Sequence, residues 1–275
     1  MIKYVTDSSC DTINYDGIDV AVAPLRIYTS ERDFVDNEEL DVHEMIEYLL
    51  SYKDRSYTSC PSTESWLQAY EGGDEIYVIT LTSNISGTYN SACAAKEEYI
   101  KDHPQARILV VDTLSTGPEM RLILEKIIEW KKEGKTFEEI SKYVEDYKKT
   151  TRLFFAFKSL HNFAQNGRVN KVLASMIAKL NISIIGTASE KGDIEPQIKC
   201  RGINNVLTRL TEELTKAGFH GGKLRICHIE NKELAEKLGQ KIKDLYPETD
   251  LCIYPARGLC SYYGERGGII IGCEC

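Results

Sequence analysis

The stretch TLTSNISGTYNSA, from Thr80 to Ala92, carries hydroxyls and a glycine between an apolar run and a helical pattern. Such a strand–turn–helix passage builds an anion pocket. The first N–H groups of a helix lack intrahelical partners and sit at the positive end of its dipole. Ser83, Ser86 and Thr88 supply hydroxyls beside them, and Gly87 lets a ligand approach the backbone. The plainer reading has Ser86 only capping a helix that starts near Thr88. Three further turns have the same character: Thr6 to Ser9, Asp112 to Thr116, and Thr58-Ser59 before Cys60-Pro61. For Asp7 and Asp112 the simple expectation is a strand-end carboxylate that caps the next turn.

Catalytic patterns are missing around these hydroxyls. The chain has no Gly-x-Gly-x-x-Gly, no Walker-type phosphate loop and no Gly-x-Ser-x-Gly elbow. Gly134-Lys135-Thr136 lacks the upstream glycine, and none of the five histidines is tied to the Ser-Gly-Thr turn. His228, ending an expected strand, reads as a structural hydrogen-bonder. Many anion-binding hydroxyls with little catalytic apparatus point to a carrier without a cofactor or metal. Ser86 or Cys60 as an acyl- or phosphoryl-transfer nucleophile is the enzymatic alternative, and it needs a nearby base.

Composition narrows the partners. A net charge of −8 without a basic cluster argues against nucleic acid, and 42% apolar residues over 275 positions are ample for a packed core. Nine scattered cysteines and no signal-peptide pattern read as reduced thiols in a cytoplasmic protein. Cys273-x-Cys275 is too isolated for a zinc site. Apolar runs such as Ile108 to Val111 are strand-length, so no integral membrane segment is expected.

Alternating strand and helix patterns over residues 1–150 predict an α/β domain with an open, largely parallel sheet and flanking helices. Its expected strands are Ile2 to Val5, Val20 to Ile27 with Pro24 inside, Glu75 to Leu81 and Ala106 to Val111. The helices are Val42 to Leu50, with Asp41 and Glu44 spaced as a capping box, Trp66 to Tyr70, Tyr89 to Ile100 and Arg121 to Lys131. Tyr57 to Ser62 reads as a turn. Residues 151–275 form a second, mixed α+β domain: strand Leu153 to Phe157, helices Ser159 to Ala164 and Val169 to Lys179, and a hairpin of Ile182 to Thr187 with Ile194 to Lys199. Helices Ile203 to Lys216 and Lys232 to Lys243 and strands Lys223 to His228, Leu251 to Tyr254 and Gly268 to Gly272 follow. A ligand is expected in the cleft between the domains, near strand carboxyl ends.

Taken together, these motifs resemble the DegV family of bacterial fatty-acid-binding proteins. The likeness rests on Thr6 to Ser9, Thr58 to Ser62, Leu81 to Ala92, Val111 to Thr113, Asn166 to Val169, the Gly192 hairpin with Lys199 to Gly202, and His228. The resemblance implies one long-chain fatty acid held between two domains and presented to a fatty acid kinase subunit, which phosphorylates its carboxylate for phospholipid synthesis. By it Thr58, Ser59 and Ser86 match head-group positions. Arg168 and Arg201 match motif arginines, Arg201 as the choice for kinase contact, with a surface or interdomain ion pair the simpler role for both. Where many members carry a His before a late glycine turn, this chain has Tyr262 or Tyr263. Arg266 or a tyrosine hydroxyl is expected to complete the site. A lipid-sensing regulatory protein is the alternative within the same resemblance.

Overall fold

The computed structural model describes residues 1–12, 14–170 and 182–275, arranged around two sheets. In the first, β4 (Ala21–Ala23), β1 (Ile2–Asp7), β8 (Glu75–Thr80) and β9 (Arg107–Asp112) lie side by side in that order, all parallel. The second runs β12 (Ile194–Arg201), β11 (Ile182–Ala188), β10 (Thr151–Phe157), β15 (Ile269–Glu274), β13 (Lys223–His228), β14 (Asp250–Pro255). It is antiparallel except for β13 with β14.

Both sheets are covered on both faces, which explains why their strands read as continuous apolar runs. Along β8, Ile76 and Val78 face one core while Tyr77 and Ile79 face another. That outer core is closed by α2 (Thr63–Tyr70) and α3 (Thr88–Asp102) through Trp66, Tyr70, Ala92 and Tyr99. On the far side of the molecule, α7 (Ile203–Lys216) and α8 (Lys232–Leu245) cover Phe154, Ala156, Ile269 and Ile271 of the second sheet. Between the sheets lies one shared core. It takes Leu153, Phe155 and Phe157 from β10, Tyr77 and Ile79 from β8, and the apolar stripe of α4 (Gly117–Lys132). The molecule is thus helix, sheet, middle layer, sheet, helix, and the period-2 alternation of each strand assigns its side chains to layers.

The middle layer also holds α1 (Val42–Ser51), α5 (Phe137–Tyr147), α6 (His161–Gln165) and α9 (Gly258–Gly264). Across it, buried Arg225 of β13 donates from Nε to both oxygens of fully buried Glu125 on α4 at 3.0 Å. Gly272 permits the start of α4 to lie on β15, since a Cβ there would meet the backbone of Pro118 and Glu119 at 2.6 Å.

Local details depart from the expected pattern for identifiable reasons. The run Val20 to Ile27 is two strands, because Pro24 removes a ladder donor and the chain changes sheets there. Its second half, β5 (Arg26–Tyr28), joins a small antiparallel sheet with β6 (Asp33–Val35) and β7 (Tyr57–Ser59). Thr58-Ser59 is therefore strand, not turn. A two-rung hairpin, β2 (Asn14–Tyr15) with β3 (Ile18–Asp19), precedes β4. Asp41 caps α1, but the Glu44 carboxylate pairs with Arg32, leaving the capping box half made. The full box is at Thr136 and Glu139, starting α5 where the Gly134-Lys135-Thr136 sequence lies. The helix α4 begins four residues earlier than its apolar pattern, with Pro118 in its first turn. Of the expected helix Val169 to Lys179, residues 171–179 lie outside the described residues.

Candidate functional site

The hydroxyl loop after β8 is positioned by carboxylates at neighbouring strand ends. Asp7 accepts from Leu81 N at 2.6 Å through Oδ2 and from Ser9 N and Oγ through Oδ1. Asp112 accepts from Ser83 N at 3.0 Å and Leu114 N at 3.2 Å. Both therefore act as strand-end caps. Gly87 is the N-cap of α3 and provides no side-chain cap. The hydroxyl before it, Ser86 Oγ, lies 2.7 Å from Thr88 Oγ1 and accepts from Thr88 N at 3.3 Å.

Facing this loop, between the two sheets, is a largely apolar cavity of about 260 Å³. Leu25, Leu81 and Leu259 wall it from one side, and Leu153, Phe155, Phe157 and Ile270 of the second sheet from the other. Its polar rim is made by Thr58, Ser59, Cys60, Ser86, Thr116, Arg168 and Tyr263. Thr58 Oγ1 lies 2.8 Å from Tyr263 OH, and the Tyr263 ring stacks on Phe163 at 4.6 Å. Burial raises the Tyr263 pKa, opposed by the Thr58 hydrogen bond and the Arg168 charge. The phenol is therefore a neutral donor near neutral pH, suited to a carboxylate.

Arg168 is exposed, donates from Nη1 to Asn166 O at 2.9 Å, and makes no ion pair among the described residues. It lines both the cavity and an outer polar hollow of about 340 Å³ that shares Ser86 and Gly87 with it. Ser83, Asn84 and Asp193 complete this vestibule. The β11–β12 hairpin reaches over to it: Asn84 Nδ2 donates to Asp193 Oδ1 at 2.5 Å. Gly192, at φ +82°, permits that approach, as a Cβ would meet Thr82 Oγ1 at 2.1 Å.

Of the residues singled out from the sequence, Thr58, Ser59, Ser86, Gly87, Arg168 and Tyr263 come together at this rim. Others stand elsewhere. Ser83 faces the vestibule, and Thr88 is buried with its hydroxyl turned to Ser86. Tyr262 points away from the cavity, its OH 2.8 Å from both Ser56 Oγ and Asn166 Nδ2, with its pKa pushed up to about 12 by burial. It borders a separate polar pocket with Arg266. The Arg266 guanidinium is held by Glu230 and Glu47 at 2.5 Å each and stands away from the cavity rim. The two tyrosines, adjacent in a helix, project about 100° apart, and Tyr263 lines the cavity while Tyr262 lines the separate pocket. Arg201 ends β12, seven residues past the cavity-lining Ile194, roughly 23 Å along the strand. His228 is away from the rim, its pKa lowered by burial and then by Lys232. No imidazole or carboxylate lines the cavity among the described residues, so neither Ser86 nor Cys60 has a base there.

Sequence reasoning missed the walls of the site. Leu153, Phe155 and Phe157 are named in it only as a strand, although their period-2 spacing puts them on one face. Phe163 and Leu259 carried no local signal.

Fold and site define an α/β protein with an apolar cavity between two sheets, rimmed by hydroxyls and one arginine. The DegV family model, described as one of uncharacterised proteins, matches residues 1–271, and the chain belongs to that family. A DegV domain-containing protein of Streptococcus pneumoniae is 36% identical over 99% of this chain and 98% of its own. One from Streptococcus pyogenes serotype M1 is 37% identical over 99% of each. Among solved structures, a DegV family protein from Eubacterium eligens loaded with heptadecanoic acid superposes with a TM-score of 0.98 at 51% identity, covering 100% of this chain and 99% of the other. The Fatty Acid Kinase (Fak) B3 protein of Streptococcus pneumoniae, loaded with linoleic acid, gives 0.96 at 35% identity, covering 99% of each chain. Among the described residues no helix is long and apolar enough to cross a membrane.

Proposed function

We propose that this chain binds one long-chain fatty acid, tail in the cavity and carboxylate at the rim, and presents it to a fatty acid kinase subunit without catalysing a reaction itself. The carrying observation is the cavity: apolar walls from both sheets end at hydroxyls and an arginine that forms no ion pair among the described residues. The fatty acids held by the Eubacterium eligens and pneumococcal relatives support this reading. Tyr263 OH, Thr58 Oγ1 and Ser86 Oγ act as hydrogen-bond donors, and Arg168 supplies the cation at the mouth. The vestibule is where a phosphoryl donor held by the kinase reaches the carboxylate. Cytoplasmic operation follows from such a partner.

Magnitudes assign the roles. A tail of fourteen methylenes at about 0.8 kcal/mol each gives roughly 11 kcal/mol before ordering costs, against about 1.5–3 kcal/mol per hydrogen bond to the charged head. The tail sets affinity, and the head sets orientation. Denaturing solvent extraction of the purified protein followed by mass spectrometry tests the binding. One stoichiometric fatty acid is expected; a protein that carries none and takes up neither palmitate nor oleate would overturn the proposal. Acyl-phosphate formation with an added kinase subunit and ATP tests the presentation.

A further inference from the structure

Cys273 and Cys275 stand on one face of the chain at the end of β15, as period-2 spacing requires, with their Sγ atoms 3.4 Å apart. No other two cysteines share a hydrogen bond among the described residues, and none forms a disulfide. Cys273 is fully buried against the outer core under α7 and α8, while Cys275 is half-buried. Arg152 pairs with Cys273 across β10 and β15. We propose that Cys273 and Cys275 form a peroxide-sensitive dithiol that closes to an intramolecular disulfide, Cys275 attacking and Cys273 resolving.

The chemistry follows from this arrangement. Hydrogen bonding from Cys273, aided by Arg152, holds the Cys275 thiol below its ordinary pKa, whereas Cys273 is pushed up by that same bond and by burial. The accessible sulfur is thus the better nucleophile, and the buried one retains its proton. The Cys275 thiolate attacks one oxygen of hydrogen peroxide, breaking the O–O bond and giving a sulfenic acid and hydroxide. The Cys273 sulfur then displaces the sulfenic oxygen; the S–S bond forms and the oxygen leaves as water. In sum, two thiols and one peroxide give one disulfide and two waters. Cys275 lies one residue past β15 and beyond its last ladder pair, Thr151 with Glu274, so its side chain can move toward Cys273 without breaking a ladder pair. The pair is three residues from the cavity-lining Ile270, about 10 Å along the strand, and faces the opposite layer. Oxidation therefore leaves lipid content unchanged.

Trypsin cleaves after Arg266, and the peptide that begins at Gly267 carries Cys273 and Cys275. The test treats the full-length protein with hydrogen peroxide, blocks free thiols with iodoacetamide in denaturant, and maps this peptide by mass spectrometry. The expected product has lost two hydrogens, carries no alkyl group, and becomes doubly alkylated if dithiothreitol precedes blocking. In Cys273→Ser, Cys275 stops at a sulfenic acid that dimedone traps; in Cys275→Ser, Cys273 stays reduced. A wild-type peptide that remains doubly alkylated while Cys60 or Cys93 is oxidised, or that goes to sulfonic acids without passing through a disulfide, overturns the proposal whether or not either variant folds.

Discussion

Two polar regions flank the middle layer and are finished in opposite ways. Where the halves meet at α9, the chain supplies its own carboxyl acceptors. Asp36 accepts from Gly258 N and Leu259 N at 2.9 and 2.8 Å, and Asp11 accepts from Arg257 N at 2.7 Å. At the cavity rim, by contrast, stand the hydroxyls of Thr58, Ser59, Ser86 and Tyr263 beside Arg168, with no carboxylate among the described residues. Backbone donors that must always be satisfied are given aspartates. On the proposed reading, donors meant for an external anion are left with neutral, exchangeable partners, because a resident carboxylate would repel an incoming one.

The largest expected effect breaks the first region. Asp36→Ala strands two buried N–H groups and should lower stability by about 3–5 kcal/mol in urea unfolding. An equal loss from Ser86→Ala would erase the contrast between clamp and rim.

Acidity sharpens it next. Burial raises Asp7 to about 6 and Asp11 to about 7. The Arg257 N–H that donates to Asp11 opposes the shift only in part, and Asp11 Oδ2 has no hydrogen-bond partner among the described residues. The native carboxyls keep protons that the unfolded chain, with aspartate pKa values near ~4, gives up. Stability should therefore rise as pH falls from about 8 toward 5, and decline as pH rises through the native values. Asp11→Asn should flatten that slope; an unaltered slope would show that Asp11 is ionised in the fold.

The two tyrosines divide the regions within a single dipeptide. Tyr263→Phe removes a rim donor and should weaken head-group binding roughly ten-fold, about 1.4 kcal/mol. Tyr262→Phe strips the bonds to Ser56 and Asn166 and should cost about 1 kcal/mol of stability with lipid affinity unchanged. Titration of both variants with a fluorescent fatty acid, alongside thermal unfolding, separates them, and interchanged phenotypes would refute the placement. Ser86→Ala should have the smallest effect on lipid retention, under about three-fold, with a larger loss of acyl-phosphate formation. A variant unable to retain lipid at all would contradict the division of labour between tail and head.

Much of this was legible in sequence. The strand–turn–helix at Thr80 to Ala92, the capping aspartates Asp7 and Asp112, and the alternation that makes the first sheet parallel are local patterns, readable because 3.6- and 2-residue periods and turn chemistry act over a few residues. Thr58, Ser59 and Ser86 were singled out together only through the family resemblance, and the turn expected at Thr58-Ser59 is strand. What sequence could not supply was proximity. Thr58 and Tyr263 meet across 205 positions, Asp36 and Gly258 across 222. Arg266 looked equivalent to Tyr263 as a completing group until Glu47 and Glu230 proved to be its partners. Which tyrosine faces the cavity, and which arginine stands at its mouth, depends on how α6 and α9 pack between the sheets. Short-range sterics and hydrophobic period, both written in the chain, set the elements and their buried faces; the site came from their packing, because a pocket is the space left between distant elements once they have assembled.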